Sequence, residues 1–308
     1  MHLDFLKKLK MKKLVFVFFL VSATLFAQDT EKENLKKNEE ALTKSTDTVM
    51  GWKKAGVFTV LATQSSFDNW LAGGQNNFSG NVSINYDFNY KSENWTWDNK
   101  FIAAYGITKI QDADTQKTDD RIEFNSLAGR KASGNWYYSA FFNFKTQMDT
   151  GLDPETRTTR ISHFFSPAYF QFGPGMLWKK SDNLKVNIAP ATSKLIVVHG
   201  HFTEGLPSTA SVFGVEGGKT TRYEFGAALN GYYKFKIMEN VSVENILNLY
   251  SNYLEDAKNV DLDYQLNIVM KINKYLSTNF AFQTIYDDNA FQGFQTRQVI
   301  GLGFNAAF

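Results

Sequence analysis

Three of the four histidines in this 308-residue chain, His163, His199 and His201, lie well beyond the N-terminal region. His199-Gly200-His201 places two imidazoles at i and i+2, which on a strand share one face and could grip a metal ion together. No Asp or His is close in sequence to complete a ligand set, so the pair reads as a polar loop end. Ser193, Ser208 and Ser211 stand near His199, the pairing that nucleophilic catalysis requires. No Ser/His/acid motif surrounds them. The carboxylates of DADTQKTDD (112–120) and DTGLDPE (149–155) gather as calcium ligands do, yet neither run follows the twelve-residue order with its Gly and terminal Glu. Cysteine is absent, which removes disulfides and thiolate metal sites. The sequence therefore supports no catalytic, cofactor-binding or metal-binding set. Its chemistry lies in charged residues at alternate positions: Asp87, Asp98, Lys100, Glu123, Lys145, Lys185, Glu244, Asp261, Asp263 and Lys271.

The elements that carry these charges have period two. From Val260 to Ile272, Val260, Leu262, Tyr264, Leu266, Ile268, Met270 and Ile272 share one face, while Asp261, Asp263, Gln265, Asn267 and Lys271 take the other. Such alternation is a β-strand with one apolar and one wet face. Segments 78–91, 135–147, 223–236, 276–286 and 298–308 follow the same rule. They run about 10–14 residues, the length a tilted bilayer-spanning strand needs. Short Asn-containing turns at 92–94, 132–135, 180–183, 238–240 and 273–274 alternate with longer polar connections at 68–76, 111–120, 149–163, 200–220, 254–259 and 287–294.

That alternation predicts an all-β fold: a closed antiparallel transmembrane barrel of twelve strands over residues 55–308, with short periplasmic turns and long extracellular loops. The apolar parity then faces lipid, and the charged parity lines the lumen. Tyr90, Trp95, Trp97, Trp136, Tyr138, Trp178 and Tyr275 cluster at the short turns, where an interfacial girdle belongs. The lumen-lining charges are of both signs in similar number. A selective pore lines its narrowest part with one sign, so mixed charge predicts a network that narrows or plugs the lumen. Pro174 and Pro190 lie in neighbouring strands and cannot donate to a ladder, so both strands should bulge or bend there.

The N-terminus reads as a signal peptide over residues 1–27, with five lysines ahead of an apolar run from Leu14 to Phe26. That run is too short to cross a bilayer as a helix. Its removal, with five lysines and Asp4, turns the formal charge of +2 into −2, and nothing marks a nucleic-acid surface. Residues 28–54 read as a periplasmic tail. The last strand places Ile300, Leu302, Phe304, Ala306 and Phe308 on one face, the pattern by which outer-membrane assembly machinery recognises a barrel.

GWKKAGVFTV (51–60), SSFDNWLAGGQNNFSGN (65–81), NWTWDNKFIAAYGI (94–107), SPAYFQFGPGM (166–176), APATSKLIVV (189–198) and SVFGVEGGK (211–219) form a set of landmarks. Together they resemble a Bacteroidota outer-membrane β-barrel family catalogued as a domain of unknown function. APATSK departs from the Ser-Pro-Leu-Thr/Ser-Gly-Lys usual at that place. The resemblance implies an outer-membrane location and a barrel, and it supplies no reaction. The expected function is a narrow channel or small-solute transport barrel embedded in outer-membrane lipid. The alternatives are an accessory subunit of an outer-membrane assembly or secretion complex and, behind it, a membrane-embedded hydrolase.

Overall fold

The computed structural model describes residues 50–66, 75–153 and 156–308. The expected signal peptide, most of the tail and most of the first long connection lie outside the described residues. Twelve strands form the wall: β1 Gly51–Ser65, β2 Asn77–Lys91, β3 Trp95–Ile110, β4 Gln116–Ser133, β5 Trp136–Thr146 and β6 Ala168–Ser181. They continue as β7 Leu184–Val197, β8 Thr221–Met238, β9 Val241–Asn252, β10 Val260–Lys271, β11 Leu276–Asp287 and β12 Phe291–Ala307. Each strand pairs antiparallel with its neighbours in sequence, and β12 returns to β1, closing the barrel. Among the described residues no helix is long and apolar enough to cross a membrane, and crossing by strands requires this closure, because an open edge would leave backbone groups unpaired in hydrocarbon.

Period two sets the faces. Large apolar residues lie exposed on one parity of the wall, among them Val82, Ile84, Phe142, Phe172, Tyr233, Ile300, Leu302 and Phe304. Rings from β2, β4, β5 and β6 form a belt, Phe88 against Phe124, Phe124 against Phe142, and Phe142 against Phe170. At the short-turn end Trp52 joins Tyr90 and Trp97, with ring centroids 5.3 and 5.7 Å apart. One polar residue on the outer parity, Asn99, is buried. Its amide donates to the Phe88 carbonyl at 3.0 Å, and its Oδ1 accepts the Ser126 hydroxyl at 2.8 Å, so its own polar atoms are paired.

The connections differ from expectation in two places. The β11–β12 connection, expected over 287–294, is a turn of three residues; Asp287 accepts the Ala290 N–H through its carbonyl at 3.1 Å and its carboxylate at 3.2 Å, and Phe291 already belongs to β12. The β3–β4 loop is likewise shorter than 111–120, because β4 starts at Gln116. At the other end of the chain β1 begins at Gly51, ahead of Ala55, because this segment pairs with the end of β2 as far as Lys91.

The two prolines mark the main irregularity. Between β6 and β7 the ladder is interrupted from Phe172–Ser193 to Met176–Ile188, and β7 slips by one residue against β8 between Gly226 and Ala228. Asn187 and Ala189 are buried before the bulge, and Thr192, Lys194 and Ile196 after it. The extra residue at Pro190 shifts the parity of everything that follows. Glycines make the crowding tolerable: a Cβ on Gly226 would run into the Ser251 carbonyl oxygen, whereas one on Gly231 would meet nothing nearer than Leu247 Cβ at 3.7 Å. Gly226→Ala is accordingly expected to destabilise the barrel by about 3 kcal/mol, and Gly231→Ala by much less. Heat titration of the folded band on SDS gels measures both, and equal loss in the two variants would contradict the close approach of Gly226 to Ser251 on β9.

Candidate functional site: the charged interior

Charges from distant strands converge inside the closed sheet. Lys100 on β3 lies 3.2 Å from Glu244 on β9, six strands away in a ring of twelve, so this pair spans the interior. Lys100 also stands 3.8 Å from Asp87. Glu244 further accepts the Tyr232 hydroxyl at 2.9 Å and the Asn267 amide at 3.1 Å. Beside them, Asp98 on β3 binds Lys179 on β6 at 2.9 Å and Lys185 on β7 at 2.6 Å, and Lys179 reaches Asp182 at 2.9 Å. These residues lie toward the short turns and form a floor. Charges this far withdrawn from water are stable there because each has an opposite partner.

Following the inward residues of β7 away from that floor gives the order of layers. Asn187 comes after Lys185 and sits in an amide row: Ser139 donates to Asn187 at 2.6 Å, Asn187 to Asn230 at 3.3 Å, and Asn230 to Asn248 at 3.0 Å. Ala189 follows, within an apolar patch of Phe141, Ala228, Tyr250 and Leu127. Lys194 comes next, 2.9 Å from Asp261, 3.3 Å from Glu224 and 3.6 Å from Asp287, with Tyr250's ring centroid 4.9 Å from its Nζ. A further group joins Lys145 to Asp263 at 3.0 Å, with the Gln283 amide on the other Asp263 oxygen at 2.8 Å. Arg297 on β12 reaches Asp119 on β4 at 2.6 Å, and Arg121 stands 3.5 Å from Glu123.

Seven of the ten charges singled out from parity are brought into three groups. Asp98 and Lys185 meet in one, Asp87, Lys100 and Glu244 in a second, and Lys145 and Asp263 in a third. Asp261 belongs to the Lys194 hub, Glu123 pairs with Arg121, and Lys271 ends β10 beside the short turn, its N–H on the Asn240 carbonyl. Lys194, Lys179, Glu224 and Arg297 were missed. For Lys194 the cause is physical: counting parity through Pro190 places it outside, and the bulge turns it in. Lys179, Glu224 and Arg297 already share the polar parity of their strands, which is the signal that could have found them.

The connection from Val198 to Thr220 folds over the long-loop end. Its Phe202, Val212, Phe213 and Val215 pack on Tyr169, Ile196 and Val198. Ile196 shares the inward parity of Lys194, so these residues fill the mouth rather than extend the wall. Arg222 at the head of β8 clips the cap in place, donating to the Gly214 carbonyl at 3.0 Å, to Glu224 at 2.7 Å and to Glu255 on the next loop.

The remaining chemical candidates do not assemble. His199 and His163 do meet, ring centroids 5.0 Å apart. Yet His199 Nδ1 accepts the His201 N–H as the cap of a short 3₁₀ turn, and His163 Nδ1 donates to the Phe164 carbonyl. Among the described residues no hydrogen bond joins Ser193, Ser208 or Ser211 to a histidine; Ser193 pairs with the Tyr223 hydroxyl at 3.0 Å on the outer face. The acidic loops satisfy themselves. Asp120 binds Lys117 at 2.6 Å and the Met148 and Asp149 N–H groups, and the hydroxyl of Tyr105 together with the Thr150 N–H holds the Asp149 carboxyl below its ordinary pKa. Carboxylate oxygens of Asp261, Asp287 and Asp288 lie within 4.8 Å of one another, but the Lys194 ammonium already supplies the positive charge that a cation would bring.

A buried pair that loses one partner leaves an uncompensated charge, which costs roughly 3–5 kcal/mol when burial is complete. Lys100 and Glu244 retain 18% and 12% side-chain exposure, so Lys100→Met is expected to destabilise by about 2 kcal/mol. The Lys100→Met/Glu244→Leu double variant should recover most of that loss. Denaturant unfolding of the refolded barrel checks both, and additive losses would mean the two charges are not coupled.

A family model described as "Protein of unknown function (DUF3078)" matches residues 62–152. No curated protein matches the chain. Among solved structures, an outer membrane channel from Pseudomonas putida F1 is 10% identical, with 84% of this chain and 96% of that chain covered and a TM-score of 0.39. The translocator domain of the autotransporter NalP from Neisseria meningitidis is 11% identical over 93% and 98%, with a TM-score of 0.34. Outer membrane phospholipase A from Escherichia coli is 10% identical over 83% and 94%, with a TM-score of 0.33. At this level the likeness carries no functional argument.

Proposed function

We propose that this chain is an outer-membrane β-barrel that passes small polar solutes through a narrow lumen held shut at rest. Its residues 1–27 direct export, its short turns face the periplasm, its last strand engages the assembly machinery, and its apolar belt sits in outer-membrane lipid. The observation that carries the reading is the Lys100–Glu244 pair between opposite walls. An interior that only had to be filled is as stable or more stable with apolar residues, because buried ion pairs barely recover their desolvation. Charges of both signs, by contrast, can exchange their partners for water or for the polar groups of a solute. The apolar patch at Phe141 and Tyr250 between two charged layers adds a constriction that drains readily of water.

The second reading, an accessory subunit of an outer-membrane assembly or secretion complex, draws on the same filled interior, which a scaffold also tolerates. Planar-bilayer recording separates the two. A conduit should be closed for most of the record with brief small openings, and Arg222→Ala should raise the open fraction several-fold by releasing the cap. Silence from the native barrel and from the variant, with native membranes yielding a larger complex after gentle solubilisation, would favour the scaffold.

A further inference from the structure

The last turn of the connection between β5 and β6 is not built like an aqueous turn. His163 and Ser166 exchange both backbone hydrogen bonds at 3.0 Å, enclosing a two-residue turn of Phe164 and Phe165. Such a position normally holds Gly, Asn or Asp, because the second central residue adopts positive φ. Phe165 does so here, at φ 59°, a conformation that bulky side chains rarely take. The turn is held by its surroundings. The Gln147 amide donates to the carbonyls of His163 at 3.1 Å and Ser166 at 2.9 Å, and the Thr146 hydroxyl donates to the Pro167 carbonyl at 2.9 Å. Two aromatic rings are thereby fixed at the tip of a loop that a polar turn would close with less strain.

Their direction is set by what they touch. Phe165 lies 5.9 Å from both Phe144 and Phe170 by ring centroid, and Phe164 lies 6.0 Å from Phe165. Phe144 and Phe170 share the outer parity of Phe142 and Phe172, so the tip continues the apolar wall of β5 and β6 beyond the strand ends. Phe164 remains 59% exposed, and Leu152 and Ile161 in the same connection are exposed as well.

We propose that the Phe164–Phe165 turn is a membrane anchor, seated among the acyl chains of the lipid leaflet at the long-loop end. The occupant is lipid because the patch is continuous with the lipid-facing wall and is apolar to its tip, whereas a loop in water gains nothing from fixing two exposed rings. The inference rests on the transmembrane reading of the barrel and adds to it that this turn lies against the bilayer instead of rising from it.

The chain has no cysteine, so single Phe164→Cys and Phe165→Cys variants can carry a nitroxide without further change. Phe172→Cys on the wall and Lys258→Cys on the β9–β10 loop are the apolar and aqueous references. In phosphatidylcholine vesicles, labels at 164 and 165 are expected to collide with oxygen far more than with a water-soluble nickel chelate, as at 172. Collision behaviour like that at 258 overturns the proposal, as does shielding from both agents in native membranes alone, which would mean that a protein covers the tip. If the label at 172 were itself water-exposed, the transmembrane reading would fail separately. Migration of each variant as a folded band on unheated gels confirms that the barrel is intact.

Discussion

In hydrocarbon a backbone amide has no water to bond, so a sheet that crosses a bilayer must pair its last strand with its first. Here Val57–Ala62 of β1 pair with Leu302–Ala307 of β12, and Phe308 exchanges both hydrogen bonds with Gly56. A Cβ on Gly56 would meet the Phe308 ring, which would have to turn aside at that seam. Once the sheet closes, the alternating side chains are divided between lipid and a confined interior, and every other feature follows from that division.

The interior cannot be dry and charged without pairing. Strands far apart in the ring therefore supply opposite signs at the same level, Lys100 with Glu244 and Lys145 with Asp263. Each group is also bound by neutral donors or acceptors, such as Tyr232 and Asn267 on Glu244 and Gln283 on Asp263. These satisfy the lone pairs that the opposite charge leaves over. The result is a lumen narrowed by contacts that are individually strong and collectively close to neutral in stability.

The bulge at Pro190 shows how a local irregularity redirects chemistry. Without the extra residue Lys194 would face lipid, where an ammonium is destabilising. With it, Lys194 becomes the hub of three carboxylates, and Ile196 and Val198 turn inward to receive the cap. A proline that cannot donate to the ladder thus sets the position of both a charge cluster and the lid above it.

The sequence by itself determined the fold class, the twelve strands and, for six of them, which parity is apolar, because a two-residue period is a strictly local property. It also located the proline irregularity and nearly all the short turns. It overstated the β11–β12 connection, since the side chain of Asp287 closes that turn in a way composition does not reveal. It could not choose partners among the charges, because Lys100 and Glu244 lie 144 residues apart and meet only when the sheet closes. Nor could parity alone carry Lys194 through the bulge. Those decisions belong to the tertiary structure, where register, shear and confinement bring together residues that share no local pattern.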